Sequence, residues 1–131
     1  MGFKASGIHA GLKSSSQRDL ALILAPNDAV CAATFTISSV RAACVDLCKN
    51  RLDFNSGKAR AILINSGHAN ACTGDKGLID SLRATKAVAD QLGLLEEEVL
   101  ICSTGVIGEA IPMKKLIAGI DPLIQQLTDN G

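Results

Sequence analysis

The 131-residue chain contains no tryptophan and no tyrosine, and its only phenyl rings are those of Phe3, Phe35 and Phe54. Its core must therefore be aliphatic, and it has few platforms on which nucleobases could stack. Neither sign of charge dominates: thirteen basic and thirteen acidic residues cancel. Without a basic stripe, nucleic-acid binding is not expected. No apolar run approaches the ~20 residues needed to cross a bilayer, so no membrane association is expected either. The opening "MGFKASGIHAG" has no apolar core of a secretory signal. Met1-Gly2 begins like a myristoylation signal, but Ile8 and its neighbours read as folded structure.

Five cysteines, Cys31, Cys44, Cys48, Cys72 and Cys102, make an odd count with no C-x-x-C pair. This usage fits a reduced, cytoplasmic protein in which free thiols act as small hydrophobes. Cys44 and Cys48 with His9 or His68 are conceivable metal ligands, but the second pair has no recognisable spacing. No metal and no other cofactor is expected. Internal repeats, low-complexity runs and linkers are all missing, so residues 1–131 read as a single domain. A chain of this length buries roughly two thirds of its unfolded surface.

Four short aliphatic segments bounded by Pro, Asn, Gly or Ser read as strands: 19–25, 32–37, 60–65 and 99–103. The last two are almost continuously apolar, as in strands covered on both faces. "KASGIHAGLK" alternates weakly and suits an edge strand. Val40, Ala43, Cys44, Leu47 and Cys48 form one helical stripe, with Asn50 as its stop. Leu78, Ile79, Leu82, Val88, Ala89 and Leu92 form a longer one, ended by Gly93. Pro112 opens a third through Met113, Leu116, Ile117 and Ile120, and Asp121-Pro122 reads as the cap of a fresh helical turn through Leu127. The order β-β-α-β-α-β-α predicts a layered α/β (α+β) sandwich, its short and mostly buried strands covered by helices. The chain stops at "LIQQLTDNG" with no closing strand, which fits a natural end or a cut in a longer product.

Two loops carry the chemical interest. "AILINSGHANACTGDKG" and "VLICSTGVIGEAIPM" each leave an apolar strand through a Ser-Gly or Thr-Gly step before a helix. Glycine lets backbone approach an oxygen closely, and unpaired N–H groups at a helix start favour negative charge. Anion or oxyanion binding is the chemistry such a junction supports; an ordinary helix-capping turn is the alternative. Sharper motifs fail. Gly74-Asp75-Lys76 puts an acid where a phosphate loop needs none, and Gly105-x-x-Gly108 is only part of a dinucleotide fingerprint. Ser66-Gly67-His68 is too local to be a serine triad, and Glu96, Glu97 and Glu98 read as a solvated turn.

At these loops the sequence resembles a known family. "GFKASGIHAGLK" (2–13), "RDLALI" (18–23), "NSGHANACTGDKG" (65–77) and "STGVIGEAIPM" (103–113) are similar to the N-terminal part of the arginine-biosynthesis ornithine acetyltransferases, also called bifunctional glutamate N-acetyltransferases. The resemblance implies transfer of an acetyl group from N-acetylornithine to glutamate, with acetyl-CoA as a possible co-substrate. It implies a precursor that cuts itself before a threonine, which becomes the nucleophile at the start of a β chain. An α2β2 assembly with an α/β sandwich fold follows. The family's oxyanion hole falls on Thr104 and Gly105, where a hydroxyl and an adjacent main-chain N–H would hold the acetyl oxygen. The family's Ala-Thr-Met-Leu cut site is missing, since Phe35 follows Ala33-Thr34 and Lys86 follows Ala84-Thr85. The family's remaining substrate contacts would fall beyond Gly131. The chain is therefore expected to be the N-terminal part of an α chain, inactive alone. Two departures stand out: His68 where the family usually has asparagine, and Cys44 where proline is common. A non-catalytic small-ligand or anion-binding domain, or an inactive fragment, is the rival reading.

Overall fold

The computed structural model describes residues 2–27 and 29–131; Met1, and with it half of the Met1-Gly2 signal, lies outside the described residues. Strands β1 (Lys4–Ile8), β2 (Leu20–Leu24), β3 (Ala61–His68) and β4 (Val99–Val106) form one sheet in that order. β1, β2 and β3 are antiparallel neighbours, whereas β4 lies parallel to β3. Helix α1 (Ala43–Phe54) precedes β3, α2 (Gly74–Leu92) makes the crossover to β4, and α3 (Met113–Gln125) follows. This is the expected layered α/β arrangement, and the order of element types is the expected one.

Strand alternation divides the sheet into two unlike faces. Leu20, Leu22, Ala61, Leu63, Val99 and Ile101 share one face by register and are all buried. The helices cover this face, α1 beside α2 and α2 beside α3, with α3 over β1 and β2. Leu116, Ile120 and Leu123 of α3 are fully buried there. The Ser6 hydroxyl of β1 donates to the Leu123 carbonyl at 2.7 Å, and Gly119 lets α3 approach closely, since a Cβ there would lie 3.0 Å from Leu20 Cδ2. The opposite face carries Ala21, Ile23, Ile62 and Ile64, all half-buried, together with Leu100, which is buried. Apolar side chains on both faces of β3 thus do not mean helices on both faces.

Three local expectations change. Residues 32–37 form no strand: 32–34, 36 and 37 are exposed and only Phe35 packs on the core, and the outer edge of β4 is already bonded at Val99 and Ile101 by Arg51 and Cys48 of α1. The weakly alternating "KASGIHAGLK" does supply an edge strand, as β1 paired to β2. α1 runs to Phe54, past Asn50, because Arg51 and Leu52 continue its buried stripe. α3 carries Pro122 in its interior rather than restarting there. Beyond α3 the chain closes on the sheet by a single bridge, Thr128 to Ala5.

Candidate functional site

β3 and β4 run parallel, so their carboxyl ends lie side by side, the place where open α/β sheets usually present chemistry. Their ladder pairs Asn65 with Ser103, Ser66 with Thr104, Gly67 with Gly105, and His68 with Val106. The apolar run stops at Ser103, yet the strand continues three residues further, to Val106. Thr104 and Gly105 therefore belong to a strand end and not to a helix start. The caps of α2 and α3 are Thr73 and Pro112, so neither the Ser66-Gly67 nor the Thr104-Gly105 step is itself a helix cap, and neither cap makes a side-chain capping bond.

Gly67 and Gly105 have φ of 116° and 130°, a region that side chains rarely adopt. A Cβ on Gly105 would lie 2.3 Å from the Gly67 carbonyl carbon and 2.6 Å from the His68 nitrogen. Two backbones therefore touch where any other residue would separate them. Beside this contact opens a groove of about 530 Å³, lined in part by Lys13, Ser66, Gly67, His68, Gly105 and Glu109. Thr104 is exposed and does not line the groove; by alternation its side chain lies on the bare face of the sheet.

The groove's walls are held by polar side chains. His68 is largely buried, 15% exposed, with Nε2 3.8 Å from Glu109 Oε2 and Nδ1 buried without a partner. On the other side, the Asp19 carboxylate accepts N–H bonds from Ala10, Leu12 and Lys13 at 2.6, 2.7 and 2.9 Å. Burial pushes the Asp19 carboxyl up. The three amides and nearby His9 more than offset this, so its pKa ends below the ordinary value. Asp19 thereby fixes the 10–13 turn against β3, whose Ser66 N–H donates to the Asp19 carbonyl.

Beneath the strand ends, Asn65 is fully buried, its Nδ2 donating to the His68 carbonyl at 3.0 Å and its Oδ1 accepting from Ser103 Oγ at 2.6 Å. Asn70, also buried, donates to Gly77 O and Ser81 Oγ and accepts from Thr73 Oγ1, shaping the turn into α2. Cys31, Cys44, Cys48 and Cys102 line one cavity of about 360 Å³ between α1, residues 31–35 and β4. Burial pushes the Cys48 thiol up to about 11 and raises Cys102 as well, so neither is an activated nucleophile. Among the described residues no three His, Cys, Asp or Glu side chains gather as metal ligands. His9 and His68 lie on separate contacts, to Asp19 and to Glu109.

The strand-end position of Thr104 and Gly105 is legible in the sequence, whereas the structure is what sets Gly67 and His68 beside them. The sequence reading assigned no role to Lys13, Asp19, Ser103 or Glu109. The available signal for Asn65 was a polar residue closing an apolar strand.

Residues 4–130 match the ArgJ family. The chain is 68% identical over 130 residues to the arginine biosynthesis bifunctional protein ArgJ of Parasynechococcus marenigrum, and 52% identical over 130 residues to that of Synechocystis. These alignments cover 99% of the chain but only 32% and 31% of the relatives, so it spans about a third of their length. Among solved structures, ornithine acetyltransferase from Mycobacterium tuberculosis complexed with ornithine superposes with a TM-score of 0.91 at 40% identity. That match covers 97% of this chain and 68% of the other. The ArgJ protein of Bacillus halodurans superposes with a TM-score of 0.86 at 39% identity, over 91% of this chain and 61% of the other.

Proposed function

The chain belongs to the ArgJ family, and we propose that it forms part of an acetyltransferase that moves the acetyl group of N-acetylornithine to glutamate in arginine biosynthesis. In this reading Thr104 and Gly105 supply an oxyanion hole. The nucleophile is an amino-terminal threonine on a second chain, released by self-cleavage of a common precursor. The working assembly is a cytoplasmic α2β2 heterotetramer, acetyl-CoA serves as an optional acetyl donor, and the 131-residue chain is inactive alone.

The observation that carries the reading is the close contact of Gly105 with Gly67 at the joint end of β3 and β4. It brings bare main chain to a groove, beside an exposed hydroxyl. Attack on the acetyl carbonyl turns its oxygen into an oxyanion. The Thr104 hydroxyl and the Gly105 N–H would each donate to that oxygen, lowering the barrier only as charge develops. Collapse of the tetrahedral species expels ornithine's amine and leaves the acetyl group on the threonine. Glutamate's amine then attacks this ester through the same hole.

The test is Thr104→Ala in the complete gene product, assayed for acetyl transfer from N-acetylornithine to glutamate. Loss of one oxyanion donor should cut kcat by about 10²-fold. Thr104→Ser should restore most of the rate. An unchanged kcat for Thr104→Ala removes the residue from the mechanism. Tight binding of N-acetylornithine without turnover by the complete wild-type protein would favour the non-catalytic reading. A parallel assay with acetyl-CoA and glutamate decides whether that donor is used.

A further inference from the structure

We infer that Asn65 and Ser103 form a clamp that positions the Gly105 main chain, so that both are positioning residues for the acetyl transfer. The inference rests on the oxyanion role proposed for Thr104 and Gly105.

An asparagine at the end of "AILIN" is expensive for a buried strand, because its amide loses water on both its donor and acceptor sides. Asn65 is 0% exposed and shares the helix-covered face with Leu63 and Ala61. Its two ends are both used. Oδ1 takes the Ser103 hydroxyl across the ladder at 2.6 Å, and Nδ2 donates to the carbonyl of His68, three residues further along β3, at 3.0 Å. One side chain therefore ties the last turns of two neighbouring strands together.

What lies between those two tie points is the Gly67–Gly105 contact. Both glycines have left regular strand geometry, with φ of 116° and 130°. A regular ladder cannot set their position by itself. The peptide joining Gly67 to His68 forms the wall against which Gly105 rests, with the His68 nitrogen 2.6 Å from where a Gly105 Cβ would be. Asn65 holds the carbonyl of His68, and Ser103 immediately precedes Thr104. Releasing the clamp frees the wall and the strand it supports in one step. Catalytic donors tolerate little displacement: an error of about 1 Å can cost on the order of 10²-fold in rate. Hydrogen bonds that share one buried side chain act as a unit and not as separable contacts.

The experiment measures steady-state acetyl transfer by the complete gene product carrying Ser103→Ala, Asn65→Ala or both, with Thr104→Ala alongside. Ser103→Ala should lower kcat about tenfold with KM within about twofold, because placement of a transition-state donor is lost and ground-state binding is not. The double variant should be no slower than Asn65→Ala alone, since the clamp is already open. Should Asn65→Ala fail to fold, the kcat and KM split of Ser103→Ala decides. A folded Ser103→Ala protein with wild-type kcat overturns the clamp, as does a double variant slowed by the product of the single effects. If Thr104→Ala collapses kcat while Ser103→Ala does not, only the clamp is lost. If both leave kcat intact, the oxyanion reading falls and takes the clamp with it.

Discussion

A methyl group has nowhere to go at Gly105. Its φ of 130° is hostile to any side chain, and the added carbon would overlap the Gly67 carbonyl carbon at 2.3 Å. Gly105→Ala should therefore destabilise the fold by on the order of 3 kcal/mol, read as a lower denaturant midpoint. A midpoint within error of wild type would show that the two strand ends are free to part. Asp19 offers a second test. Its carboxyl titrates below the ordinary 3.8 in the folded chain, so its stabilisation is present above that value and is lost as pH falls through the lower folded pKa. Asp19→Asn should cost about 3 kcal/mol at neutral pH, because one amide cannot accept all three N–H bonds. It should also flatten the stability profile below pH 4, where the wild type loses the carboxylate. An identical acid limb in the two proteins would remove Asp19 as its source. Neither Asp19 nor Asn65 announces its role in the sequence. Their partners, Ala10 to Lys13 and Ser103, are chosen by tertiary contact, whereas Thr104-Gly105 is a contiguous motif that can be seen without a fold.

Among the secondary elements, those whose pattern is local were legible and those needing a partner were not. α2 shows its stop, with Gly93 in the left-handed conformation the sequence implies, but only part of its stripe: Val88 and Ala89 are buried, whereas Leu78, Ile79 and Leu82 are exposed and the smaller Gly77, Ser81, Ala84 and Thr85 pack inward in their place. β4 was recognisable by its aliphatic run, but only as far as Ser103, since Thr104, Gly105 and Val106 stay in the ladder with no apolar run to mark them. Residues 32–37 alternate like a strand yet remain irregular, because β propensity is realised only in pairing and Cys48 and Arg51 of α1 already bond the outer edge of β4. Pro122 misled for a related reason. A proline preceded by aspartate signals a helix start, but burial of Leu116, Ile120 and Leu123 on one continuous stripe keeps the helix running through it. That continuity costs the hydrogen bond an N–H at position 122 would make. Pro122→Ala should accordingly stabilise the chain by about 1 kcal/mol, raising Tm by roughly 3–5 °C in a thermal melt. A lower Tm would mean that the ring's own packing outweighs the missing bond.

Taken as one body, the protein leaves apolar surface in two places: α2 exposes Leu78, Ile79 and Leu82, and the reverse side of the sheet is only partly covered. The helix side of the sheet is closed by fully buried leucine, isoleucine and valine. The reverse side leaves Ala21, Ile23, Ile62 and Ile64 half-buried, with Thr104 exposed at its end. Phe3, Val30, Ile37 and Val106 are exposed as well, at 59%, 84%, 101% and 51%. Single exposed apolar residues are ordinary, but a contiguous apolar sheet face is the kind of surface that partners cover. Under the proposed function a partner chain would bring its threonine to Thr104, which shares this face. The 131-residue chain alone should therefore bind a hydrophobic dye and self-associate, while the complete gene product should do neither. Ile64→Lys separates the cases further. It should change the stability of the isolated chain by no more than about 1 kcal/mol, since the long lysine stem can carry its charge to water. It should also reduce self-association, whereas in the complete protein the same charge would be trapped under the partner and assembly should fail. An isolated chain that is monomeric and leaves the dye dark, or a complete Ile64→Lys protein that assembles normally, would show that no partner docks on this face. The threonine would then have to reach Thr104 by another route.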